Sequence, residues 1–141
     1  MRKLVAVIAV VGATLLGTAL PSSADSSKSG GLFEVSTCNG TRGTRDGSFS
    51  ATRSGTIVTV VFKGHLNPLD EYALGIDKPV SSTSCQSIVS SGQTYTAQND
   101  GFFRKRIRFH VPRSERQLIF SVSDRTNPSL QLNSNVVGMR P

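Results

Sequence analysis

The stretch DGFFRKRIRFHVPRSERQLIFSV, residues 100–122, decides the fold class of this chain. Asp100-Gly101 predicts a tight two-residue hairpin turn in which both positions take positive φ, a conformation glycine accepts freely. From Phe102 to Val111 the residues alternate. Phe103, Ile107, Phe109 and Val111 fall on one face, with Lys105 interrupting them, while Arg104, Arg106, Arg108 and His110 fall on the other. Period-two spacing is that of a strand, and it sets the cations in a row about 6.6 Å apart. Pro112-Arg113-Ser114-Glu115 breaks the ladder, and Leu118, Phe120 and Val122 resume it.

Outward from this stretch, further strand-like runs appear. Thr56–Lys63 (TIVTVVFK) places Val58, Val60 and Phe62 on one face and Ile57 and Val61 on the other, as a central strand would. Leu32–Thr37 predicts the first strand, with Phe33 and Val35 on one face; Tyr72–Ile76 follows the Asn67-Pro68 break. Ser81–Ser91 suggests an irregular edge strand around Cys85, and Gln93–Gln98 alternates through Tyr95 and Ala97. Leu130, Leu132 and Val136 share a parity and suggest a last strand, whereas Asn39-Gly40 and residues 42–47 carry turn and loop signals. No window supports an amphipathic helix. The expected class is all-β and antiparallel, a sandwich of about seven to nine short strands, with a closed barrel as the alternative because spacing does not fix closure.

The ends divide the chain into unlike parts. Arg2 and Lys3 precede an apolar run from Leu4 to Leu20, and Ser22-Ser23-Ala24 offers small residues for cleavage, so residues 1–24 are expected to be a signal peptide and the protein secreted. Residues 25–31 are small and polar and predict a flexible leader, which leaves 32–141 as a single β-sandwich domain. Losing Arg2 and Lys3 takes the net charge from +7 to +5, with ten arginines against four lysines in the remainder. Arg104, Lys105, Arg106, Arg108, Arg113 and Arg116 lie together with Glu115 as the only acid among them. Cys38 and Cys85 are the only cysteines, and an oxidising destination predicts that they pair. Closing that loop stabilises a fold by roughly 4 kcal/mol in the chain-entropy account.

Leu66-Asn67-Pro68-Leu69-Asp70-Glu71-Tyr72 resembles the L-x-P-x-x-x-Y corner of fibronectin type III and related immunoglobulin-like sandwiches. The resemblance implies an immunoglobulin-like sandwich in which the Tyr72 hydroxyl bonds back to the preceding turn. About half of this chain still follows Tyr72, where a fibronectin module has about one strand left. Val61–Tyr72 and Thr94–Phe103 together resemble small secreted bacterial immunoglobulin-like domains, the antibiotic-carrying apoproteins similar to neocarzinostatin among them. Those apoproteins have two disulfides; this chain has cysteines for one.

Little in the sequence suggests catalysis. His65 and His110 read as surface or strand-end residues, and no second histidine stands at ligand spacing from either. No G-x-S-x-G elbow accompanies the serines, and paired cysteines cannot act as nucleophiles. Asp70 and Glu71 are adjacent, so a strand would point them to opposite faces, although two carboxylates distant in sequence could still meet. A non-enzymatic protein without cofactor or metal is therefore expected. The expected site is Arg104, Arg106, Arg108 and His110, helped by Arg113 and Arg116, facing an anionic polymer, cell surface or acidic protein. Nucleic acid fits poorly, because the chain has no Trp and its aromatic residues mostly take core parity. Two alternatives belong to other classes: an inhibitor or toxin-like protein acting through loops at Thr41–Ser50 or Lys78–Ser84, and a small-molecule carrier. Asn39-Gly40-Thr41 matches the N-glycosylation pattern, and a monomer is expected over a dimer.

Overall fold

Apolar residues on both faces mark strand β3 (Ile57–His65) as an interior strand, whose backbone groups need a hydrogen-bonding partner along each edge. The computed structural model, which describes residues 25–141, supplies β2 (Arg45–Ser54) on one edge and β7 (Phe102–His110) on the other, both antiparallel. The signal peptide expected over residues 1–24 lies outside the described residues. The remaining strands are β1 (Asp25–Glu34), β4 (Glu71–Pro79), β5 (Cys85–Ser90), β6 (Tyr95–Thr96), β8 (Gln117–Asp124), β9 (Gln131–Asn133) and β10 (Val137–Gly138). Eight of them run in the order β5-β4-β8-β9-β1-β2-β3-β7, with β6 added to β4 and β10 to β8. The fold is thus all-β and antiparallel, a continuous sheet curled into a half-barrel.

Curling brings the β5-β4-β8-β9 half over the β1-β2-β3-β7 half, and aromatic rings fill the space between. Phe120 of β8 lies 4.7 Å from Phe49 of β2 and 6.3 Å from Phe62 of β3; Tyr72 of β4 lies 4.9 Å from Phe103 of β7. Phe103, Phe109, Val111, Leu118, Phe120 and Val122 are all buried, as their parity predicts. Lys105 also points inward, and its ammonium sits 4.4 Å from the centre of the Tyr95 ring, a stabilising cation–π contact for a charge on a core-facing position. Cys38 and Cys85 form the disulfide, joining the segment after β1 to the start of β5.

Several expectations need correction. Residues 25–31 are not a flexible leader but most of β1, paired with β2 from Asp25↔Ser54 onward. Arg45–Ser54 is likewise a strand, not loop, so the loop proposed for contacts at Thr41–Ser50 shrinks to the residues before Arg45. Within β1 the register shifts between Leu32 and Phe33; Leu32 enters the core, while the Phe33 ring covers Gly31 on the other face. Val136 is 39% exposed, because the closing strands are the short pieces β9 and β10 and core contact passes to Leu132 and Met139.

The turn before β7 also differs. Gly101 alone takes positive φ (88°), and its N–H donates to Gln98 while Gln98 N–H donates to the Phe102 carbonyl. This is a three-residue turn with a left-handed glycine, in which Asp100 caps the Phe102 N–H through Oδ1 instead of adopting positive φ. A Cβ on Gly101 would meet the Leu66 carbonyl oxygen at 2.1 Å. Tyr72 packs in the core, but among the described residues its hydroxyl makes no hydrogen bond of the kind the corner resemblance implies.

Candidate anion-binding face

Strand β7 stands at one end of the strand order, and among the described residues β3 is the one strand it pairs with. The hydrogen bonds Val111 N–H to Thr56 and Leu66 N–H to Gly101 fix the phase of the β3–β7 ladder. Odd-numbered residues of β7 bond to β3, so the backbone groups of Arg104, Arg106, Arg108 and His110 point to the open edge. Their side chains are all exposed on the outer face. The structure therefore brings four of the six expected residues into one row.

The other two separate. Arg113 sits at the far end of the row, its Nη2 3.3 Å from where a Cβ on Gly55 would lie, over the β2–β3 turn. Arg116 precedes β8 in the opposite half, where its carbonyl accepts from Met139 N–H. Glu115, the one acid near the row in sequence, is held by Lys78 of β4 at 2.7 Å. Among the described residues the arginines of β7 have no carboxylate within ion-pair distance.

The sheet adds cations that spacing along one strand could not reveal. Lys63 of β3 lies directly opposite Arg104. By the phase of the ladder this is a non-hydrogen-bonded pair, in which side chains approach most closely, with Cα atoms about 4.5 Å apart. Arg45 of β2 joins them by lying flat over Gly31, where a Cβ would meet its Nε at 2.9 Å. Together Arg45, Lys63 and Arg104 rim an open groove of about 460 Å³ whose floor includes Ser29, Ser48 and Ser50. Asp46 borders the adjoining depression together with the same three cations, and its carboxyl, along with burial, raises the pKa of the neighbouring Glu34. Register could have found Lys63, since residues 57, 59, 61 and 63 share the outward parity. Arg45 gave no such signal, because its strand reads as loop.

One further arginine behaves differently. Arg53 is 0% exposed, and its guanidinium donates to the carbonyls of Gly55 (3.0 Å), Pro112 (2.8 Å), Met139 (3.2 Å) and Val111 (3.4 Å), and to that of Glu115. Burial lowers its pKa from the usual arginine value, and the charges of Arg116 and Arg113 act in the same direction. It locks the β2–β3 turn, the 111–115 connection and the C-terminal segment together.

Two carboxylates distant in sequence do meet. Asp70 and Asp124 are buried as neighbours, and the Oδ2 of each has no hydrogen-bond partner among the described residues. Asp124 Oδ1 accepts from Thr126 and Asn127 N–H. Desolvation, then the neighbouring Asp70 carboxyl, pushes Asp124 up to about 6. Asp77, half-buried near the disulfide with Oδ2 3.6 Å from Cys38 Sγ, is pushed up to about 6 by desolvation. His65 stacks edge-on with Phe102 at 5.5 Å. Among the described residues no three His, Cys, Asp or Glu side chains gather as metal ligands would, and no helix is long and apolar enough to cross a membrane.

Comparison with family models, with curated proteins and with solved structures finds no match.

Proposed function

We propose that this is a secreted, non-catalytic binding protein that uses the β7 row to hold an anionic polymer or surface. The carrying observation is the unbalanced row itself: Arg104, Arg106, Arg108 and His110 are exposed together, and Glu115 is engaged by Lys78. Arginine forks match carboxylate, sulfate and phosphate oxygens in pairs. Charges on an edge strand also keep other sheets from pairing there. That role does not account for Lys63, which sits on a strand paired on both sides. Export is supported by the hydrophobic leader in the sequence and by the disulfide. The two facing halves and their aromatic core also support an immunoglobulin-like plan, here as a proposal alone.

The test is retention of the oxidised protein on heparin-like glycan, purified cell wall and anionic liposomes, with neutral controls, at low and physiological salt. Binding to an anionic member that survives physiological salt and is lost on reversing Arg104, Arg106 and Arg108 to Glu is the expected result. Binding unchanged by that triple reversal sinks the proposal.

A further inference from the structure

The groove between β1, β2, β3 and β7 carries the inference furthest. We infer that Arg45, Lys63 and Arg104 form a subsite for a tetrahedral oxyanion, the sulfate or phosphate ester of a hydroxyl-rich linear polymer. This rests on the proposed binding role of the β7 row and adds a place and a ligand chemistry to it.

Three observations converge. Lys63 and Arg104 face each other in the pair geometry where side chains are closest, and like charges directly opposite destabilise a sheet. Arg45 brings a third positive charge over Gly31, and no acid lines this groove. Among the described residues none of the three cations has an ion pair within 4.0 Å, and Asp46 in the adjoining depression leaves the three in positive excess. An anion in the groove would offset that excess.

The floor specifies more. Ser29, Ser48 and Ser50 come from adjacent strands, and Ser29 pairs with Ser50 across β1 and β2. Hydroxyls can donate to anion oxygens and also accept from a hydroxylated chain. Val61 lies between Ser50 and Arg106 in the next cross-strand row, so the groove runs into the cation row without an intervening acid. A linear ligand along β7 would meet a cation about every 6.6 Å. No exposed aromatic ring lines the groove, which suits charged, hydroxylated units better than stacked planar ones.

The experiment compares R45S/K63S with R106S/R108S and with the unaltered protein. Binding of a heparin-derived sulfated oligosaccharide, poly(glycerol phosphate) and neutral dextran is measured at physiological salt, with thermal melts to verify folding. Each charge-assisted contact removed from the subsite is expected to weaken binding about tenfold or more. R45S/K63S should therefore lose about 100-fold and R106S/R108S clearly less. Preference for the sulfated or for the phosphodiester probe identifies the ester, and either supports the subsite. Unchanged binding in R45S/K63S with weakened binding in R106S/R108S overturns the subsite and leaves the β7 reading standing. Unchanged binding in both overturns both. As a second readout, amide resonances of Ser48 and Ser50 should shift when inorganic sulfate or phosphate is titrated into the unaltered protein; shifts confined to Arg106 and Arg108 would also overturn it.

Discussion

Arg53 and Arg106 are the same side chain used in opposite ways. Arg53 is sealed inside the sheet and donates to five carbonyl oxygens drawn from three separated segments. Arg106 stands on the outer face, opposite Val61, between two other arginines. Carbonyl dipoles offset the desolvation of the first, and the fold depends on it. The second has no acceptor among the described residues and repels its neighbours. A charge without an internal partner is available to an external one, and that difference separates architecture from the proposed site.

The largest expected effect tests the buried member. Arg53→Met fills much of the same space but strands five carbonyls, at a cost of about 3–5 kcal/mol. Arg106→Met should stay within about 0.5 kcal/mol. Urea denaturation of both variants measures the contrast. An Arg53→Met protein as stable as the parent would break the comparison, since it would mean that the five bonds contribute nothing net.

The exposed member was legible in the sequence and the buried one was not. Alternation over Phe102–Val111 put Arg104, Arg106, Arg108 and His110 in a row because period two needs no knowledge of neighbours. The β1–β2 hairpin was hidden by its composition. Its outward positions include Ser27, Ser29, Ser48, Ser50 and Thr52, and its inward ones offer little beyond Leu32, Phe49 and Ala51. Such strands read as linker and loop, so Arg53 had no strand to sit on and Arg45 no groove to enter. Lys63 was on a recognised strand but needed the β3–β7 register. Asp70 and Asp124 needed the loop geometry that closes one end of the sheet, which no local pattern encodes.

The acids supply the next test, because they too are charges enclosed by the fold. Asp124, paired with Asp70, and Asp77 both have folded pKa values raised to about 6 from an ordinary value near 3.8. The folded state thus holds their protons more tightly than the unfolded state does. Their contribution is fully present below the unfolded value and is lost as pH rises through about 6. Between pH 4 and pH 7.5 each site should remove about 1–3 kcal/mol of stability. Asp124→Asn keeps an oxygen for the Thr126 and Asn127 N–H groups and gives Asp70 a donor in place of a repelling oxygen. It should raise the pH 7.5 melting temperature and flatten the pH profile. A variant with the parent's profile would mean that the pair is not a source of the pH dependence.

The smallest effect is the sharpest, because it concerns the sign of a change. Lys63 faces Arg104 and neither has an ion-pair partner among the described residues, so Lys63→Ser should stabilise the unliganded protein by about 0.2–1 kcal/mol at low salt. The gain should shrink as salt screens the pair over roughly 8–10 Å. Arg106→Ser, which faces the uncharged Val61, should gain less. Denaturation at two ionic strengths measures both. If Lys63→Ser instead destabilises the protein at both salts, Lys63 belongs with Arg53 as a structural cation, and the groove loses its argument. If it stabilises the free protein while weakening the sulfated or phosphorylated ligand, one substitution has moved fold and function in opposite directions. That opposition is what a charge placed for a partner produces, because the fold alone is better off without it.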